Sequence, residues 1–111
     1  FTPRLVRRVA TLGDGWMPYV AYGMTLPEKA EAIRVLRDRY AAEGRDPATL
    51  EVADTLVPVD GSVARTLEQV PAAAAAGIDV MRVPLRRFVT HPAQVQGVME
   101  DLVRRFEEYR R

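Results

Sequence analysis

The chain has 111 residues, of which 48% are apolar and 28% charged, and sixteen basic against fifteen acidic residues give a formal net charge of +1. This composition indicates one globular domain and excludes the strong basic excess that is typical of nucleic-acid-binding proteins. With no cysteine, the chain forms neither a disulfide framework nor a thiolate zinc site, which suits the cytoplasm. No stretch approaches the roughly 18 apolar residues of a membrane span, so we expect no membrane partner.

The first predicted helix follows Thr2, a typical N-cap residue, and begins at Pro3, which fits the first helical turn. Gly13 suits the C-terminal end of this helix. In the following "GWMPYV" the pattern changes to a short apolar run, which predicts a buried strand over about residues 15–19. The two glycines of "GDG" therefore predict a tight connection from helix to strand.

A second helix is predicted over residues 27–43, with Thr25 and Glu28 as a capping box. Its apolar residues recur at spacings of three and four and predict one buried stripe: Ala30, Ile33, Leu36 and Tyr40. The β-branched run after it predicts a strand over about residues 50–58. Asp54, inside this strand, needs a hydrogen-bond partner.

The segment "VARTLEQVPAAAAAG" predicts a kinked or two-part helix ending at Gly77, because Pro71 lacks the backbone N–H that a continuous helix requires. The near-continuously apolar "IDVMRVPL" predicts a third strand. Thr90 or His91 then caps a last helix from Pro92. Its apolar residues form one stripe: Val95, Val98, Met99, Leu102, Phe106 and Tyr109.

Helices alternate with strands along the whole chain, which predicts an α/β fold with about three parallel strands and four helices. Such a sheet has two open edges and too few strands to close into a barrel. Either a second copy or the remainder of a larger barrel would complete it. We therefore expect the sequence to be incomplete as given, and the isolated chain to form homo-oligomers or to aggregate.

Three segments carry a family resemblance: "TPRLVRRVATLGDGWMP", "AAEGRDPATLEV" and "AAAAAGIDVMRVPL". In this order they resemble the C-terminal part of the luciferase-like monooxygenase family, over nearly all 111 residues. The resemblance implies that residues 1–111 are the C-terminal portion of a (β/α)8 TIM barrel. It also implies a flavin or deazaflavin cofactor, either FMN or F420.

The resemblance places the cofactor phosphate at Phe1 and Thr2, at the start of the first helix. A helix N-terminus favours an anion, although an ordinary N-cap is the alternative for Thr2. Barrel enzymes place their chemistry at the C-terminal ends of strands, which makes Met17, Pro18 and Tyr19 candidates for binding a small-molecule substrate. Packing on the barrel rim is the alternative for these three. No catalytic residue and no metal ligand is assigned.

Other polar or aromatic residues have simpler interpretations. His91 is expected to cap a helix rather than act as a general base, and Trp16 is expected in the core. Asp54 is expected to face the barrel interior or to join a buried water network. Arginines are expected mainly on exposed surfaces, with attraction of an anionic cofactor tail as the alternative: Arg4, Arg7, Arg8, Arg86 and Arg87.

Two functions of different classes follow. The first is an oxidoreductase that transfers hydride or activates oxygen. This chain alone would be inactive, because most cofactor and substrate contacts of the family lie in the part of the barrel that precedes this segment. The second is a noncatalytic partial barrel that serves as a binding or self-assembly module.

Overall fold

A computed structural model describes residues 1–18 and 23–110. Within them the α-helices are α1 (Pro3–Leu12), α2 (Leu26–Ala42), α3 (Val63–Leu67), α4 (Val70–Ala75) and α5 (Val95–Tyr109). The strands are β1 (Gly15–Trp16), β2 (Glu51–Thr55) and β3 (Val80–Arg82). Short 3₁₀ turns lie at Pro47–Thr49, Leu85–Arg87 and Pro92–Gln94.

The three strands form one open, parallel sheet in the order β1-β2-β3. In the β1–β2 ladder Gly15 lies opposite Glu51, and Trp16 lies opposite Val52. The N–H of Asp79 donates to the carbonyl oxygen of Val52 at 2.8 Å just before β3 begins. The predicted α/β class with a small parallel sheet is therefore confirmed.

All three strands are shorter than their apolar runs predict. Instead of residues 15–19, 50–58 and 78–85, the paired segments contain two, five and three residues. Pro18, Pro58 and Pro84 have no N–H to donate to a ladder, so pairing stops before each of them. Among the described residues, Val57, Val83 and Leu85 therefore lie outside the strands.

The helices match their predictions closely because local signals define their ends. The Oγ1 of Thr25 accepts from the N–H of Glu28 at 3.3 Å and caps α2. The predicted two-part helix is confirmed, since α3 ends at Leu67 and α4 begins at Val70. Pro71 lies in the first turn of α4, where the missing N–H breaks no helical hydrogen bond.

The chain divides into two compact units, and the first contains Phe1–Asp54 and Ala73–Val80. Here α1 packs against α2, and the core side chains come from α1, β1, α2, β2 and the segments beside them. They are Ala10, Trp16, Ala32, Ile33, Leu36, Tyr40, Leu50, Val52, Ala73 and Ile78. The Trp16 core prediction is confirmed, and three of the four predicted α2 stripe residues are buried.

Arg45 closes the end of this unit opposite the start of α1. Its guanidinium donates to the carbonyl oxygens of Ala10 at 3.0 Å and of Gly13 at 2.7 Å. It also lies 4.1 Å from the centre of the Tyr40 ring, whose hydroxyl donates to Gly13 at 2.5 Å. A cation at the last carbonyls of α1 satisfies acceptors that have no helical partner.

The second unit contains Thr55–Ala72 and Met81–Arg111. Its buried apolar residues come from the position after β2, from α3 and from the start of α4: Leu56, Val63, Leu67 and Val70. The apolar stripe predicted for the last helix is not buried, because no residue of α5 is buried. Four residues of the stripe are half-buried, and two are exposed: Val95, Val98, Leu102 and Phe106, then Met99 and Tyr109.

Candidate functional site

Phe1 and Trp16 bring the start of α1 next to the end of β1. Their ring centres are 5.4 Å apart, and the ring planes are inclined at 59°. Because α1 starts where β1 ends, Phe1 and Thr2 lie at the same end of the first unit as Met17 and Pro18, the two described substrate candidates. Two segments separated by a whole helix are thus brought together.

Thr2 caps α1, as its residue type predicts. Its Oγ1 accepts from the N–H of Leu5 at 3.2 Å, and its carbonyl oxygen accepts from the N–H of Val6 at 3.0 Å. A hydroxyl also has a hydrogen to donate, so Thr2 can cap the helix and donate a hydrogen bond to an anion at the same time. Pro3 has no N–H, which leaves the N–H of Arg4 as the remaining donor of the first turn.

An open groove of about 700 Å³ extends from this helix start along α1 and α2. It is lined by Phe1, Thr2, Pro3, Val6, Arg7, Val35, Asp38 and Arg39. Four of these eight side chains are apolar. The acid among the other four, Asp38, accepts from Arg34 at 2.8 Å. The groove therefore offers an apolar surface beside a guanidinium and a helix N-terminus. This chemistry fits an anionic group attached to an apolar body.

The substrate candidates after β1 lie in different environments. Met17 is 63% exposed and is available for contact with another molecule. Pro18 is buried and packs inside the first unit. Tyr19, the third candidate, lies outside the described residues.

Lys29 and Asp54 form an ion pair that the sequence interpretation did not anticipate. Lys29 Nζ lies 2.6 Å from Asp54 Oδ2, and both side chains are mostly shielded from solvent. The expected partner of Asp54 is therefore confirmed, and it is Lys29 in the first turn of α2. Whether Asp54 faces a barrel interior stays a prediction. A lysine in the first turn places a positive charge at the positive end of the helix dipole, which is unfavourable without a nearby anion. Lys29 could therefore have predicted an acid close to the start of α2.

The remaining polar predictions concern helix ends and surfaces. His91 is confirmed as a cap: its Nδ1 accepts from the N–H of Ala93 at 3.1 Å, and Gln94 Oε1 accepts from the N–H of His91 at 3.1 Å. The guanidinium-bearing residues expected on the surface are exposed: Arg4, Arg7, Arg8, Arg86 and Arg87. The capping role of His91 occupies its Nδ1.

The perturbed titratable groups lie on the exposed face of α2. The hydrogen bond from the Arg34 guanidinium lowers the pKa of Glu31, and the same contact raises the pKa of Arg34. Within residues 1–18 and 23–110, no cluster of three or more His, Asp or Glu side chains is placed to hold a metal ion. In the same residues, no helix has the length and apolar character needed to cross a membrane.

No protein-family model, curated protein or solved structure matches this chain. The family resemblance of the three sequence segments therefore stays a prediction.

Proposed function

We propose that this chain forms the last part of a luciferase-like (β/α)8 barrel and that the complete barrel is an oxidoreductase using FMN or F420. The observation that carries the proposal is the contact between Phe1 and Trp16, which puts a helix N-terminus beside the C-terminal end of a parallel strand. Barrel enzymes bind phosphate groups and substrates at this end of their strands.

The open sheet supports the barrel. Its three parallel strands are joined through helices, parallel sheets are normally covered on both faces, and exposed strand edges are usually protected. Further strands on both edges would complete the ring. The remaining strands would then contribute most of the cofactor and substrate contacts.

The residues at the start of α1 fit one phosphate group. The Thr2 hydroxyl and the N–H of Arg4 are donors at the positive end of the helix dipole, and Arg7 adds a guanidinium along the groove. FMN and F420 each carry a phosphate on the ribityl chain of a flat ring system, and the apolar part of the groove lining suits the ring. The bound ring supplies the redox chemistry, while this chain holds the phosphate end and orients it.

Met17 is the residue of this chain that we assign to the small-molecule substrate, because it is exposed immediately after β1. Its flexible thioether side chain can adapt to an apolar substrate. Pro18 holds the backbone beneath it through packing, and Tyr19 stays a candidate from the sequence alone.

The test compares cofactors with and without phosphate. The protein, with any sequence that its gene encodes beside this chain, is titrated by fluorescence with FMN and riboflavin, and with F420 and its phosphate-free deazariboflavin form. Thr2→Val should weaken binding of the phosphorylated forms about tenfold or more and leave the phosphate-free forms unchanged, because one charge-assisted hydrogen bond is lost. Thr2→Ser, which keeps the hydroxyl, is the control and should bind like the parent.

Failure of the protein to bind either phosphorylated cofactor would overturn the enzyme proposal. An equal loss for both forms of a cofactor would show that Thr2 acts only as a helix cap. The isolated 111-residue chain should bind neither cofactor in the micromolar range. Saturable binding by the chain alone would contradict the proposal that most contacts lie on other strands.

A further inference from the structure

The last helix leaves an apolar strip exposed on one flank. Met99 is 52% exposed and Val103 is 64% exposed, although both are large apolar side chains. They line an open groove of about 700 Å³ together with Pro92, Val95, Gln96, Glu100 and Arg104. We call this surface, made of the seven residues, the α5 flank. A helix flank of this kind is typical of a protein contact.

The α5 flank is distinct from the side of the helix that packs within the second unit. Leu102 and Phe106 line a different groove, together with Leu67, Met81 and Val83. Val103 lies at the boundary of the two grooves. One side of α5 therefore faces α3 and β3, while the side that carries Met99 has no cover within this unit.

We propose that the α5 flank binds the same flank of a second copy of this chain, with the two helices antiparallel. Met99 and Val103 are four residues apart, and so are Glu100 and Arg104, one position further along the helix. A two-fold axis midway along this segment sets Met99 against Val103 of the second copy. The same axis sets Glu100 against Arg104 of the second copy, and each contact occurs twice.

The charges at the edge of the α5 flank favour a second copy over other occupants. One acid and one base give a rim with no net charge that is complementary to itself, whereas a membrane-binding helix carries mainly Lys and Arg on its polar side. The rim side chains also bond within the helix: Gln96 Nε2 donates to Glu100 at 3.0 Å, and Arg104 donates to Asp101 at 2.5 Å. The guanidinium keeps further donors for a carboxylate of the second copy.

Charge reversal provides the test, with the dissociation constant of the dimer measured by sedimentation equilibrium at low salt. In Glu100→Arg, an arginine meets an arginine at both rim contacts. In Arg104→Glu, a glutamate meets a glutamate at both. Each variant should weaken the homodimer about tenfold, because two attractive pairs become repulsive. Glu31→Arg, the same change of charge on the exposed face of α2, is the control and should leave dimerisation unchanged.

Mixing the two variants separates the interface from effects within the helix. In a heterodimer of Glu100→Arg with Arg104→Glu, opposite charges meet at both rim contacts. An equimolar mixture should therefore dimerise with nearly the parental dissociation constant. Mixing leaves the altered charges within each α5 unchanged, so it would not reverse an effect that arises within the helix. Far-UV circular dichroism of each variant checks that α5 stays folded.

Two results would overturn the proposal. The first is a parent chain that stays monomeric at high micromolar concentration, which would leave the α5 flank for another part of a larger barrel. The second is a dimer that neither variant weakens, or a mixture that regains nothing, which would place the contact elsewhere, such as at the open sheet edges.

Discussion

Lys29 Nζ and Asp54 Oδ2 are 2.6 Å apart, and the two side chains are only 18% and 11% exposed. The pair links the first turn of α2 to β2 near its C-terminal end. Taking two charges out of water costs free energy, so the pair is favourable only while both partners are present. It fixes the start of α2 against the strand end that the proposed function places near the substrate.

Removing one partner of this pair should be costly. Lys29→Met leaves the Asp54 carboxylate partly buried without its cation, and the free energy of unfolding should fall by about 3 kcal/mol. The double variant Lys29→Met/Asp54→Leu removes both charges and should recover much of this loss. Urea unfolding followed by circular dichroism measures both, and a single variant as stable as the parent would argue against the pair.

Gly15 should tolerate no side chain. A Cβ at this position would lie 2.5 Å from the carbonyl oxygen of Glu51, so Gly15→Ala must push β1 away from β2. We expect a loss of about 2 kcal/mol in the free energy of unfolding, comparable to overpacking in a core.

Gly97 is the matched control for this substitution. It lies inside α5, and a Cβ there meets nothing within 4 Å. Gly97→Ala should stabilise the chain by up to about 1 kcal/mol, because alanine has the higher helix propensity. Thermal unfolding of both variants checks the two opposite signs, and a harmless Gly15→Ala would mean that β1 is not paired closely with β2.

Arg45 should stabilise the first unit more than its surface position suggests. Arg45→Met removes donors from the carbonyl oxygens of Ala10 and Gly13 and should cost about 2 kcal/mol. Tyr40→Phe removes one donor from Gly13 and should cost about 1 kcal/mol. Because both donors share the oxygen of Gly13, the double variant should deviate from additivity. Chemical denaturation of the four proteins gives the coupling energy directly.

Glu31 should titrate below the usual range of a glutamate. The Arg34 guanidinium stabilises the ionised carboxylate and lowers its pKa in the folded chain. The stabilisation is therefore fully present above the ordinary glutamate pKa and is lost as the pH falls through the lowered value. NMR titration of the Glu31 carboxyl carbon measures the shift, and Arg34→Gln should return the pKa toward the ordinary value. An unchanged pKa in that variant would contradict the assignment of Arg34 as the cause.

Local signals in the sequence determined the helices of this protein. Thr2, Thr25 and His91 each accept from a backbone N–H two or three residues further on, so the residue types alone locate the caps. Pro71 likewise predicts the break between α3 and α4, because the missing N–H acts within one turn. These interactions need no distant partner.

The tertiary structure decided the strand lengths, the partner of Asp54 and the exposure of the α5 flank. A strand extends only as far as its neighbour supplies hydrogen bonds, and that neighbour is far away in the sequence. The site also depends on distance: Thr2 and Met17 could be nominated as residue types, but their common location rests on the packing of Phe1 against Trp16. An apolar stripe predicts which face of a helix can be buried. How much of that face is buried depends on the surface that packs against it.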